Sequence, residues 1–89
     1  MREVFPTNRF KKDLKKASRN PRQDTEKLFK AIDILTEEGV LPEGYLPHLL
    51  SGSWASKWEC HIQPDFLLIY EVTEESLRLE RCGSHSELF

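Results

Sequence analysis

What this chain has little of narrows its class first. It has two cysteines in 89 residues, Cys60 and Cys82. That is too few for a disulfide framework, and their spacing forms no CxxC pair. Both are therefore expected to be reduced thiols in a cytoplasmic protein. No apolar run approaches the roughly 20 residues that span a bilayer, so no membrane association is expected. The N-terminal stretch MREVFPTNRF has no apolar signal-peptide core, and nothing in it marks the chain for export. There are no internal repeats and no low-complexity segments. The three histidines, His48, His61 and His85, contain no HxH or HxxxH pair. Zinc is thus given only a weak ligand pattern, and no metal or other cofactor is expected.

What is present fits a single domain over residues 1–89, with 38% hydrophobic and 31% charged residues. The net charge of −2 conceals a split. Residues 1–30 carry ten Lys/Arg against four Asp/Glu, a balance of +6, and residues 31–89 carry three against eleven, a balance of −8. Such a split suits a polyanion contact on the N-terminal part. It equally suits a solvated helix face whose charges pair with acidic residues elsewhere.

Along the chain, Arg2–Pro6 reads as a short strand confined to a sheet edge by Pro6. Thr7 or Asn8 can cap a first helix whose apolar stripe is Phe10, Leu14 and Ala17. Arg9, Lys12, Lys16 and Arg19 lie along one flank of it, Lys11 and Lys15 along another. Asn20-Pro21 ends that helix. Asp24 caps a second, with Leu28, Phe29, Ile32 and Leu35 as its buried face and Gly39 as its stop. After a proline-containing loop, His48–Leu50 is a short strand, and Ser56–Gln63 alternates. Trp58, Cys60 and Ile62 share one face; Lys57, Glu59 and His61 share the other. Pro64-Asp65 suits a tight turn, and Phe66–Val72 is apolar enough for a central strand. Leu77–Cys82 alternates again, with Leu77, Leu79 and Arg81 on one face. The class is α+β: an α-hairpin packed on one face of a twisted antiparallel sheet of about four strands, the other face open to a ligand.

Three histidines and Asp65 permit metal-free acid–base chemistry. Cleaving RNA needs a base for the 2′-hydroxyl, an acid for the departing 5′-oxygen and a cation for the charge between them. Arg81, on the strand leading to His85, is the candidate cation. Each residue also has a plain structural explanation: His48 as a loop residue, His61 as a solvated strand residue, Asp65 as a turn former. His85 sits in a terminal tail, but that tail ends in Leu88-Phe89, and docking of Phe89 would order it over the sheet.

The segments HLLSGSW, ECHIQPDFLLIY and LERCGSHSELF resemble the YafQ group of the RelE/ParE toxin superfamily. The resemblance implies a RelE-like fold and the toxin of a type II toxin–antitoxin pair. Its implied activity is a ribosome-dependent endoribonuclease that cleaves mRNA without a metal and stops translation. His48, His61, Asp65 and His85 match the family's functional positions, with His85 as the principal acid and the others positioning or activating the 2′-hydroxyl. Arg81 and Phe89 match substrate-contacting positions. Where the family often carries Arg, this chain has Trp58, and Lys57 is the neighbouring cation. Lys12, Lys16 and Arg19 are candidates for holding ribosomal RNA. The implied partners are a cognate antitoxin, the ribosome and mRNA, with a homodimer only inside the toxin–antitoxin complex. The alternative is a non-catalytic ParE-like toxin that binds DNA gyrase.

Overall fold

A computed structural model describes every residue from Met1 to Phe89. Strand β1 (Glu3–Pro6) leads into helix α1 (Asn8–Ser18), and helix α2 (Thr25–Glu38) follows. The second half holds β2 (His48–Leu49), β3 (Trp58–Gln63), β4 (Phe66–Val72), β5 (Ser76–Gly83) and a single closing turn of helix, α3 (His85–Leu88). The five strands form one sheet in the order β1-β5-β4-β3-β2. Four of them are antiparallel neighbours, as the turn signals predict. The fifth, β1, pairs parallel with β5 at the edge, which makes the sheet mixed. Pro6 occupies that edge, where a missing N–H costs least.

Local chemistry sets the helix limits. The Thr7 side chain accepts from the Phe10 N–H, and the Asp24 carboxylate accepts from the Glu26 and Lys27 N–H groups. Gly39 ends α2 with φ 75, a conformation that glycine adopts without a Cβ penalty. Phe10 and Ala17 of α1 and Leu28, Ala31 and Leu35 of α2 are buried. They meet Cys60, Phe66, Leu68, Tyr70, Leu77, Leu79 and Cys82 from one face of the sheet. Each buried leucine contributes roughly 1.5–3 kcal/mol. Burial pushes the thiols of both Cys60 and Cys82 up to about 12, so neither is a nucleophile at neutral pH.

Two expected facings differ. Phe29 is exposed and Ala31 takes its place inside. The small residue lies three positions after Leu28 and four before Leu35, and it lets the helix approach the sheet closely. In β5 a register shift opposite Ile69 and Tyr70 breaks the alternation. Cys82, not Arg81, therefore joins Leu77 and Leu79 in the core.

The opposite face of the sheet is partly covered. Leu67 and Ile69 of β4 are fully buried there beneath Leu88, with Leu50 and Trp54 packed alongside. Strand β4 is thus apolar on both faces, which explains why Phe66–Tyr70 reads as a continuous run.

Candidate active site

Strand alternation places Glu59 and His61 together on that second face, two residues apart on β3. His48 of β2 lies directly across from Glu59 in the antiparallel register. The Glu59 carboxylate, 6% exposed, lies between two imidazoles. Its Oε1 is 3.4 Å from His48 Nε2 and 3.7 Å from His61 Nε2. These are ion-pair separations, too long for good hydrogen bonds. His48 Nδ1 lies 3.1 Å from the Leu46 carbonyl, which orients its ring with Nε2 toward Glu59.

His85 reaches the same site from α3. Its ring centroid is 5.8 Å from that of His61, the planes meeting at 65°. Asp65, in the β3–β4 turn, holds it from behind. One carboxylate oxygen, Oδ1, accepts from the His85 backbone N–H at 2.9 Å and pairs with Nδ1 at 2.6 Å. The His85 N–H bonds are the main reason why the Asp65 carboxyl lies below its ordinary value. With Nδ1 engaged, Nε2 is the nitrogen free to exchange a proton with a ligand.

The closing turn is built to hold His85. Ser84 caps α3 by accepting from the Glu87 N–H, and the Glu87 carboxylate accepts from the Ser84 N–H, a complete capping box. Lys16 of α1 pairs with Glu87 at 2.9 Å, and Gln23 donates to it at 3.2 Å. Chiefly through the Ser84 N–H, and then Lys16, the Glu87 carboxyl is lowered to about 2. Gly83 lets the turn lie close: a Cβ there would come within 3.0 Å of a Glu87 oxygen.

Four expected site residues have positions or partners that the sequence did not show. Phe89, expected to anchor the tail, is 59% exposed, and Leu88 at 7% is the residue that docks. In a helical turn only one of two successive side chains can face the sheet. Arg81, expected to hold a phosphate, turns toward α1 instead. Its Nε and Nη2 donate to the two oxygens of Asp13 at 2.9 and 2.8 Å. Lys57, expected to stand in for a missing arginine, is held between Glu71 at 2.9 Å and Glu80 at 3.1 Å. Both cations have raised pKa values, led in each case by these side-chain hydrogen bonds. Lys16 is committed in part to Glu87. Lys12 and Arg19 remain exposed and unpaired.

The sequence reading missed Glu59 as a site residue, although alternation already put it on the His61 face. Its partner across the strand pair is Ile69, against whose cluster Leu88, Leu50 and Trp54 pack. No group of three or more His, Cys, Asp or Glu side chains converges as a metal ligand set.

The model of the family described as bacterial toxins of type II toxin–antitoxin systems, YafQ, matches residues 2–89. This chain belongs to the YafQ family. It is 36% identical over 89 residues to the mRNA interferase toxin YafQ of Escherichia coli strain K12, covering 99% of this chain and 96% of that one. The toxin in the crystal structure of the E. coli DinJ-YafQ toxin–antitoxin complex is 36% identical. It superposes with a TM-score of 0.88, over 99% of this chain and 97% of that one. A metal-bound toxin from Helicobacter pylori is 40% identical, with a TM-score of 0.88 over the whole of both chains. The RelE-like α+β class expected from the sequence is thus the fold of this YafQ-family chain.

Proposed function

We propose that this chain is a ribosome-dependent endoribonuclease that cleaves mRNA by acid–base catalysis from its own side chains, and that a cognate antitoxin neutralises it. The observation that carries the reading is the convergence of Asp65–His85 and His48–Glu59–His61 on one face of the sheet. In the proposed reaction, the 2′-hydroxyl attacks the adjacent phosphorus and loses its proton to His61, which His48 and Glu59 position. His85 Nε2 gives its proton to the departing 5′-oxygen, and Asp65 stabilises the imidazolium before transfer. The products are a 2′,3′-cyclic phosphate and a free 5′-hydroxyl. No step of this proposed reaction is routed through a metal.

Membership of a toxin–antitoxin family and the DinJ-YafQ complex of a relative support an antitoxin partner. Lys12, Lys16 and Arg19 on the outer flank of α1 are proposed contacts to ribosomal RNA. Their exposure and the +6 balance of residues 1–30 support this. Nothing in the geometry favours gyrase binding, for which a histidine cluster has no use.

The test is cleavage of a defined mRNA by purified protein with and without ribosomes, comparing wild type with His85→Ala. The expected result is ribosome-dependent cleavage by the wild type and loss on the order of 10²-fold or more in the folded variant. Cleavage at the wild-type rate in His85→Ala overturns the assignment.

A further inference from the structure

The histidine cluster has a shortage of free positive charge. Arg81 is bound to Asp13, Lys57 to two glutamates and Arg78 to Glu80. A strand of RNA crossing the site therefore finds no unpaired cation among these residues. Two others lie close by. Strand β2 pairs only with Trp58 and Glu59, so the edge of β3 beyond them is not covered by another strand. Along that edge runs a cavity of about 280 Å³, whose walls include His61, Lys27, Lys30, Gly44 and Tyr45. A second cavity of about 450 Å³ shares His61 and Gly44 and continues the groove to Pro64 at the tip of the hairpin.

Lys27 and Lys30 are three residues apart on α2 and so project to one side of it. Both are exposed, and neither ammonium has a carboxylate within 4.0 Å. The helix that carries them is tied to β3, because the Asp24 N–H donates to the Gln63 side chain at 2.8 Å. Tyr45, half-buried against the core, gives the groove one aromatic wall.

We propose that Lys27 and Lys30 form a backbone-phosphate subsite for the substrate RNA strand, reached from His61 around the free edge of β3. The inference rests on the endoribonuclease reading and adds to it the path of the nucleotides that flank the scissile bond. A pair of free ammoniums beside a groove that opens at His61 supplies the sequence-independent part of binding. It does so from α2, away from the flank of α1 proposed for the ribosome.

The probe is a single-stranded RNA oligonucleotide with 2′-O-methyl groups throughout, which cannot be cleaved. Its binding is followed by fluorescence anisotropy across a salt series for wild type, Lys27→Gln/Lys30→Gln and Lys11→Gln/Lys15→Gln. The last variant removes equal charge from α1, beside Thr25 and Phe29 and outside the groove at His61. The expected result is a loss on the order of tenfold at low salt for the Lys27/Lys30 variant only, with its salt slope smaller by roughly 1 to 1.5. Three results overturn the proposal. They are no binding by the wild type, no loss in the Lys27/Lys30 variant, or an equal loss in the Lys11/Lys15 variant. Because the probe cannot react, these outcomes stand apart from the His85→Ala cleavage test, which can fail without moving any of them.

Discussion

Asp65 Oδ1 receives both the backbone N–H and the ring Nδ1 of His85, at 2.9 and 2.6 Å. One carboxylate oxygen therefore fixes where α3 begins and which way its first side chain faces. Asp65→Ala removes both bonds without opening the core, since the aspartate is exposed. The expected outcome is an unfolding transition close to that of wild type. Cleavage is expected to fall on the order of 10²-fold, because an unsupported imidazole loses its orientation and its counter-charge. Thermal melts and single-turnover cleavage on ribosomes check the two halves separately.

The pairing of His48 and His61 through one buried oxygen predicts coupling. If Glu59 positions both rings, Glu59→Gln and His48→Ala should not add. The loss in the double variant should fall short of the summed single losses by at least about 0.5 kcal/mol of transition-state free energy. Cleavage rates of the four proteins of this cycle measure it. Full additivity would make His48 a bystander on the rim.

Lys57 lies between Glu71 and Glu80, with its side chain 23% exposed and that of Glu80 13%. Removing it leaves Glu71 without its ion-pair partner and Glu80 with Arg78 alone. Lys57→Ala is therefore expected to destabilise the fold by about 1–2 kcal/mol. Cleavage per folded molecule should stay within a fewfold of wild type. Urea denaturation and active-fraction-corrected cleavage check this. A selective loss of cleavage would instead return Lys57 to the substrate.

These cases show what sequence pattern can and cannot reach. The hairpin from Trp58 to Val72 was legible because alternation, a Pro-Asp turn and an apolar strand all agree with one register. Asp24, Thr7 and Gly39 were legible as caps because their chemistry is local. The parallel pairing of β1 depends on where two helices return the chain, and no local signal encodes that. Arg81 and Lys57 hold ion pairs that the sequence did not show, for one reason. A lone cation in a sequence shows its charge but not the carboxylate from a distant element that will neutralise it. Asp13 is 68 residues from Arg81, and the bulge that takes Arg81 off the Leu77–Leu79 face and sets it opposite Ile69 breaks the alternation on which the reading relied. Ala31 is buried in place of Phe29 because the stripe of Leu28, Ile32 and Leu35 can be widened on either flank, and spacing alone does not choose between them.

Glu87 makes the closing turn sensitive to acid. Its carboxyl titrates at about 2 in the folded chain, against an ordinary 4.5. A folded value below the unfolded one means that the ionised form favours folding. That stability is fully present above pH 4.5 and is lost as pH falls through about 2. Glu87→Gln keeps a side chain able to complete the capping box but removes the charge that Lys16 meets. Wild type should be the more stable at pH 7, by roughly 1 kcal/mol, and the two proteins should converge between pH 4.5 and 2. Denaturant midpoints across that range check it.

Leu88 and Phe89 separate anchoring from contact. Leu88 packs on Leu67 and Ile69, so Leu88→Ala is expected to cost about 2–4 kcal/mol and to loosen α3. Cleavage should then fall along with stability, because His85 sits at the start of that turn and loses its fixed distance from His61. Phe89 is exposed, and Phe89→Ala should leave the melting temperature within a degree or two of wild type. If Phe89 contributes to substrate binding, its loss appears as weaker binding with an unchanged maximal rate, the pattern of a ring that stacks on a base. Wild-type binding in Phe89→Ala, together with wild-type cleavage, would leave the C-terminal aromatic with no part in the reaction. The same two measurements on Leu88→Ala should show the reverse, a lower maximal rate at nearly unchanged affinity, since there the substrate still finds its contacts but the acid is out of place.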